Sequence, residues 1–181
     1  NMNEILSYMY LILEKSRQAN QQIKRKAFKD HGKNIKLFEG VDKYFDLINA
    51  YAAEKNITIE HYIISSGLKE IIEGTKIKKH FRYIYASEFH YDVNGVAVWP
   101  ACAVDYTLKT QFLFRVNKGT FDIWDNSKIN KYTPENERYI LFKRMIYIGD
   151  GETDIPCMKM VNYQGGYSIA VYDPKKRGTK N

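Results

Sequence analysis

Two short apolar runs, each breaking into a polar turn and then into a helical pattern, constrain this chain more than any other feature. The first is ITIEHYIISSGLKE, Ile57 to Glu70, where β-branched and aromatic residues run into Ser65, Ser66 and Gly67. A helix is expected from about Leu68. The second is MIYIGDGETDIPCM, Met145 to Met158, which sets Gly149 and Gly151 on either side of Asp150 and places Asp154 four residues further on. A strand that hands its chain directly to a helix is the unit from which parallel sheets are built, because parallel neighbours need a crossover.

The rest of the chain supports the same class. Asn1 to about Gln22 reads as one helix with the polar end EKSRQANQQ, and Ile23 to His31 as a second that Gly32 stops. The segment LFEGVDKYFDLINAYAAEKN opens a helix at Gly40. Val41, Tyr44, Phe45, Ile48, Tyr51 and Ala52 give it one face built to pack on a sheet, and Asn56 ends it. YIYASEFHYDVNGVAVWPA reads as a strand and hairpin, with VNG as the turn and Pro100 closing it. A helix from about Thr107 to Asn117 is ended by Gly119, residues 120–144 form a loop-rich insertion, and GGYSIAVY supplies a last strand. The expected architecture is an α/β domain with a mainly parallel sheet over 36–181, preceded by a small helical unit over 1–35.

Length and composition set the limits on function. A chain of 181 residues suffices for one ordinary domain, and fifteen tyrosines spread along it argue for a packed interior. The net charge of +7 favours anionic partners. Its densest pieces, IKRKAFKDHGK and the terminal DPKKRGTKN, lack aromatic interleaving or zinc-ligand spacing, so they read as solvated surface and no nucleic-acid partner is expected. The apolar cluster Ile5 to Leu13, interrupted by Ser7, is shorter than the roughly 18 residues of a membrane span and carries no signal-peptide pattern. It reads as a buried helix. Cys102 and Cys157 are isolated, which points to a reducing cytoplasm and ordinary thiols. His31, His61, His80 and His90 show no metal-site spacing, and Trp99 and Trp124 read as packing residues.

In open α/β sheets, ligands bind beyond the carboxyl ends of the strands, where both polar turns are expected. Asp150, between two glycines that let the backbone turn tightly, suits a hard cation such as Mg²⁺ as direct ligand. Asp154 either coordinates, acts through water or holds a neighbouring group; the alternative is that Asp150 begins a turn and Asp154 caps a helix. Ser65 and Ser66 offer hydroxyls at an expected helix N-terminus, which suits a phosphate or simple capping. Lys109 falls near the start of a helix, where cation and dipole oppose each other. A phosphate site would account for it; solvation is the plain alternative.

The order of these pieces, IISSG, then LKTQ, then YIGDGETD, resembles the haloacid dehalogenase superfamily, in particular its phosphoserine-phosphatase-like branch. The LFEG lead-in and the hairpin after YIYASEF fit the same pattern, so the resemblance spans Lys36 to Tyr172. It implies a Rossmann-like core and a Mg²⁺-dependent phosphomonoester hydrolase acting on a small phosphorylated substrate. By this resemblance Ser65, with Ser66 and Gly67 beside it, would hydrogen-bond the phosphoryl group. Lys109 would neutralise charge, Asp150 would hold the metal and Asp154 would support it. Residues 1–35 would be part of a helical cap. The family begins its chemistry with DxDx[TV], whose first aspartate attacks phosphorus, and no DxD occurs among these residues. The chain is therefore expected to lack the first core strand and the nucleophile, and to stop short of the branch's last helix and strand. The alternative function is a remnant that binds phosphate or a phosphorylated partner without turnover.

Overall fold

The computed structural model describes residues 1–173 and divides the chain into two compact units, Asn1–Val104 and a second beginning at Asp105. The terminal basic run at 174–181 lies outside the described residues. The protein is mixed α/β, with six α-helices and both parallel and antiparallel strand pairing among the described residues. None of these helices is long and apolar enough to cross a membrane.

The first unit opens with α1 (Glu4–Gln18), whose N-cap Asn3 accepts hydrogen bonds from the backbone N–H of Ile5 and Leu6. It contains α2 (Arg25–Lys33) and α3 (Val41–Glu54), then β1 (His61–Leu68), a short α4 (Lys69–Gly74), β2 (Phe81–Tyr91) and β3 (Ala97–Cys102). β1 pairs parallel with β2, and β2 pairs antiparallel with β3 through the expected hairpin. Its turn is made by Gly95 at φ 74° and by Asp92 Oδ1, which accepts from the N–H groups of Asn94 and Val96. Met9 and Leu13 of α1 meet Leu68, Phe89 and Ala97 in one buried cluster, and Phe28 of α2 stacks on Phe89 at 5.7 Å. The helices of 1–35 thus share a core with the first sheet. Phe45 of α3 is wrapped by His61, His80 and Phe81, whereas Tyr44 and Tyr51 of the expected packing face remain exposed.

Two sequence expectations change here. Gly32 does not stop the second helix; α2 runs on to Lys33. The glycine serves a close helix crossing instead: a Cβ on Gly32 would sit 2.0 Å from the Ile71 carbonyl oxygen, and one on Gly74 would sit 2.0 Å from that of Lys29. Nor do Ser65, Ser66 and Gly67 end the strand. They lie inside β1, where pairing passes from Ser65↔Ala86 to Leu68↔Ser87 and leaves two residues as a bulge. The following helix has Leu68 as N-cap and no side-chain cap bond, so neither serine caps it.

The second unit carries α5 (Tyr106–Lys118), β4 (Ile146–Gly149), α6 (Ile155–Tyr163) and β5 (Tyr167–Ala170). Local signals account for α5 closely. Asp105 caps it by accepting from the N–H groups of Thr107 and Leu108, and Gly119 ends it at φ 67°. β4 and β5 pair parallel in register from Ile146↔Tyr167 to Gly149↔Ala170, and α6 packs against both strands. Tyr147 and Gly149 are covered while Ile146 and Ile148 are exposed, so this sheet is buried on one face only. The mainly parallel sheet expected from the sequence is thus realised as two small sheets, one mixed and one parallel. Among the described residues, β1 and β4 each pair on one side only.

Candidate functional site

The site is built at the carboxyl end of β4. The strand delivers Gly149 and an exposed Asp150, then a single 3₁₀ turn over Glu152–Asp154 leads into α6. Neither glycine flanking Asp150 adopts a left-handed conformation, and Gly151 is extended at φ −141°. The expected tight glycine turn is replaced by a close approach. A Cβ on Gly149 would lie 2.6 Å from the Cβ of Asp154 and 2.9 Å from its Cγ, so only glycine lets that carboxylate fold back against the strand. Gly151 meets nothing closer than 4.0 Å.

Asp154 occupies the N-cap position of α6 but makes no capping bond. Its Oδ1 instead accepts from the ammonium of Lys109 at 2.8 Å and from the hydroxyl of Tyr147 at 2.7 Å. The Lys109 ammonium also donates to Thr153 Oγ1 at 2.9 Å. Both charged side chains are shielded, at 7% and 8% exposure. Of the roles open to Asp154 in the sequence, the structure shows it holding a neighbouring group and not capping the helix by a side-chain bond. It also removes solvation as the explanation of Lys109, whose charge near a helix N-terminus is met by a buried carboxylate.

The electrostatics follow from this packing. Burial alone would raise the Asp154 pKa, but the hydrogen bonds from Lys109 and Tyr147 outweigh it and hold the carboxyl below its ordinary value. The Tyr147 phenol is pushed well up, by burial first and then by the bond it donates to Asp154. Cys157, fully buried beside this group, is raised by burial as well. Tyr147 therefore stays a neutral donor.

The other predicted residues belong to the first unit. Ser65 Oγ accepts from the Gly67 N–H at 3.1 Å, and its own O–H donates to no group among the described residues. The Ser66 carbonyl accepts from Tyr8 at 2.8 Å and from Ser87 at 3.0 Å, which fixes the bulge from two sides. Ser87, fully buried, also accepts from the Val104 N–H at 2.9 Å. The structure thus brings Lys109 and Asp154 into contact, leaves Asp150 in solvent beside them, and sets Ser65–Gly67 in a separate strand bulge. Sequence reasoning missed Tyr147 and Thr153. Both lie within the quoted stretch, and the signal for Tyr147 is the strand alternation that puts it on the covered face with Gly149.

Taken together these features define a mixed α/β protein with a buried lysine–aspartate pair behind a strand end. Its relatives add little more. No family model matches the chain. A protein of Borreliella burgdorferi, described as "Uncharacterized protein", is 30% identical over 159 aligned positions, covering 78% of this chain and 54% of the relative. The chain spans about half the length of the curated relative it matches.

Proposed function

We propose that this chain carries the phosphate- and metal-binding half of a Mg²⁺-dependent phosphomonoester hydrolase of the haloacid dehalogenase type, with a Rossmann-like core. The observation that carries the reading is the junction of Lys109, Thr153 and Asp154 at the carboxyl end of a parallel strand, with a solvent-facing Asp150 at its edge. An ammonium has three donors. Two are used by Thr153 and Asp154, which leaves one for a phosphoryl oxygen and fixes its direction. Tyr147 and Asp154 position Lys109, and Lys109 neutralises phosphoryl charge in a setting from which water is largely excluded.

The donor set fits Mg²⁺ on chemical grounds. That ion takes one or two carboxylates and completes its shell with water and substrate oxygens. Asp150 is exposed and in no ion pair among the described residues, so its carboxylate is available. Asp154 Oδ1 is already engaged by two donors, which makes Asp154 the support of the site. No cluster of three or more acidic, histidine or cysteine side chains able to hold a metal is present among the described residues, so the ion would depend on few protein ligands. When bound, it would supply charge neutralisation to the phosphoryl oxygens.

In a longer polypeptide carrying the motif, its first aspartate would attack phosphorus, the alcohol would leave as its bond to phosphorus breaks and it takes a proton from the motif's second aspartate, and that carboxylate would then accept a proton from the water that hydrolyses the aspartyl-phosphate. That aspartate is not among these 181 residues in a DxDx[TV] setting. This favours a second reading for the chain alone, binding without turnover. In a longer polypeptide containing the motif, hydrolysis of a generic aryl phosphate should require Mg²⁺ and be abolished by Asp150→Ala. Unchanged turnover in that variant refutes the assignment. For this chain, calorimetric titration should detect uptake of Mg²⁺ and phosphate; no heat from either excludes the binding reading.

A further inference from the structure

The stretch 120–144 is long for a connection without an α-helix or strand, and such loops are commonly functional. Here it is held by buried side chains of α5. Arg115, 2% exposed, points its guanidinium into the loop and donates to the carbonyl oxygens of Asp122 at 2.6 Å, Asp125 at 2.8 Å and Ile123 at 3.1 Å, and to Asn126 Oδ1 at 3.0 Å. Lys118 donates to the carbonyls of Ile129 and Lys131, and Asn117 to that of Ile140 at 2.7 Å. Three polar side chains spent on backbone carbonyls give this loop a defined shape.

That shape encloses a cleft of about 240 Å³ at the far end of α5. Its apolar walls are Phe114, Phe142 and Tyr132, and its polar groups include Lys118, Arg138 and Gln164. Phe114 and Phe142 meet edge to face at 5.3 Å, while Tyr132 is 86% exposed and offers a free ring. Arg138 donates from Nε to the Thr133 carbonyl at 3.1 Å, and its two terminal amino groups have no hydrogen-bond partner among the described residues. Glu135, the adjacent carboxylate, pairs with Lys143 at 2.9 Å and also feels the charge of Arg138. Lys109 lies nine residues before Lys118 on the same helix, roughly 13 Å along its axis at about 1.5 Å per residue, so this cleft is separate from the candidate site.

We infer that this cleft binds a small molecule that joins one planar ring to an anionic oxygen group. The ring lies against Tyr132 and Phe142, and the acid takes the fork of Arg138; carboxylate and phosphate satisfy that fork alike. The volume sets the size, since drug-sized ligands occupy roughly 300–1,000 Å³ and this cleft holds less. The inference does not depend on the hydrolase reading.

The test is a titration of the isotopically labelled chain with benzoate and phenyl phosphate as separate probes. Saturable shifts are expected in the amides of 114–118, 132–138 and Gln164, with a dissociation constant on the order of millimolar. Either probe binding there supports the inference and identifies the acid. Arg138→Gln should weaken binding about tenfold, the loss expected of a charge-assisted pair. Tyr132→Ala, at an exposed position that cannot unfold the protein, should weaken it several-fold. Absence of saturable shifts at these amides for both probes, shifts confined to 150–154, or affinity unchanged in both variants would overturn it, as would inorganic phosphate binding as tightly as phenyl phosphate.

Discussion

Replacing Lys109 with methionine isolates the physical basis of the candidate site. The ammonium and the Asp154 carboxylate stand 2.8 Å apart, with side-chain exposures of 7% and 8%. At an effective dielectric constant of about 20 that separation corresponds to a Coulomb attraction of roughly 6 kcal/mol, much of which offsets the desolvation of the two ions. Removing one partner of a buried pair costs about 3–5 kcal/mol. Tyr147 still donates to Asp154 in the variant, which places the expected loss near the lower end, about 3 kcal/mol. For a chain of this length that lowers the midpoint of thermal unfolding by roughly 6–12 °C. Adding Asp154→Asn removes the stranded charge while keeping the shape and the tyrosine bond, so the double variant should recover about 2 kcal/mol of the loss. The pH dependence carries a sign. In the wild type, the depressed Asp154 pKa contributes stability that is present above the ordinary carboxyl value of 3.8 and is lost as pH falls below it. Without the ammonium, burial raises the carboxyl instead, and the gap between variant and wild type should narrow between pH 7 and about 4. Denaturant unfolding of the four proteins of the cycle measures all of this. A loss under about 1 kcal/mol for Lys109→Met, or a double variant no more stable than the single one, refutes the claim that the pair is buried and coupled.

Three further outcomes are expected. Gly32→Ala should destabilise by about 1–3 kcal/mol, because the new methyl would collide with the Ile71 carbonyl oxygen at 2.0 Å and with Gly74; an unfolding curve superimposable on wild type would dismiss the close crossing. Arg115→Met strands the carbonyls of 120–125 and should speed protease cleavage within 120–131 by about tenfold or more, with an unaltered digestion rate as the contrary result. His61 is held below its ordinary pKa, by burial first and then by the nearby His80. Its neutral form is favoured by folding, so thermal stability should fall as pH drops from 7 towards 5, and His61→Gln should flatten that slope; equal slopes would contradict it.

Local signals were legible wherever the chain satisfies itself. The hairpin at Asp92–Gly95, the cap at Asp105 and the stop at Gly119 each depend on side chains within a few residues of the backbone groups they serve. Gly32 misled because a glycine permits a helix end and a close crossing equally, and Gly74, its partner, stands 42 positions away. The serine bulge misled for a similar reason. Its unpaired residues exist only relative to Ala86 and Ser87 on the neighbouring strand, and the carbonyl that anchors it is held by Tyr8 from a different helix. Arg115 gave no local sign at all, since a basic residue on a helix reads as solvated surface until a loop folds around it.

The residues of GDGETD determined by themselves that two carboxylates would follow a strand and precede a helix, because apolar alternation, turn chemistry and helix initiation are short-range properties of the chain. They did not distinguish Asp150 from Asp154. The tertiary structure does so, leaving the first in water and burying the second under Lys109 and Tyr147. The environment that sets a carboxylate's charge and partners is assembled from α5 and β4, elements that no local window of sequence contains.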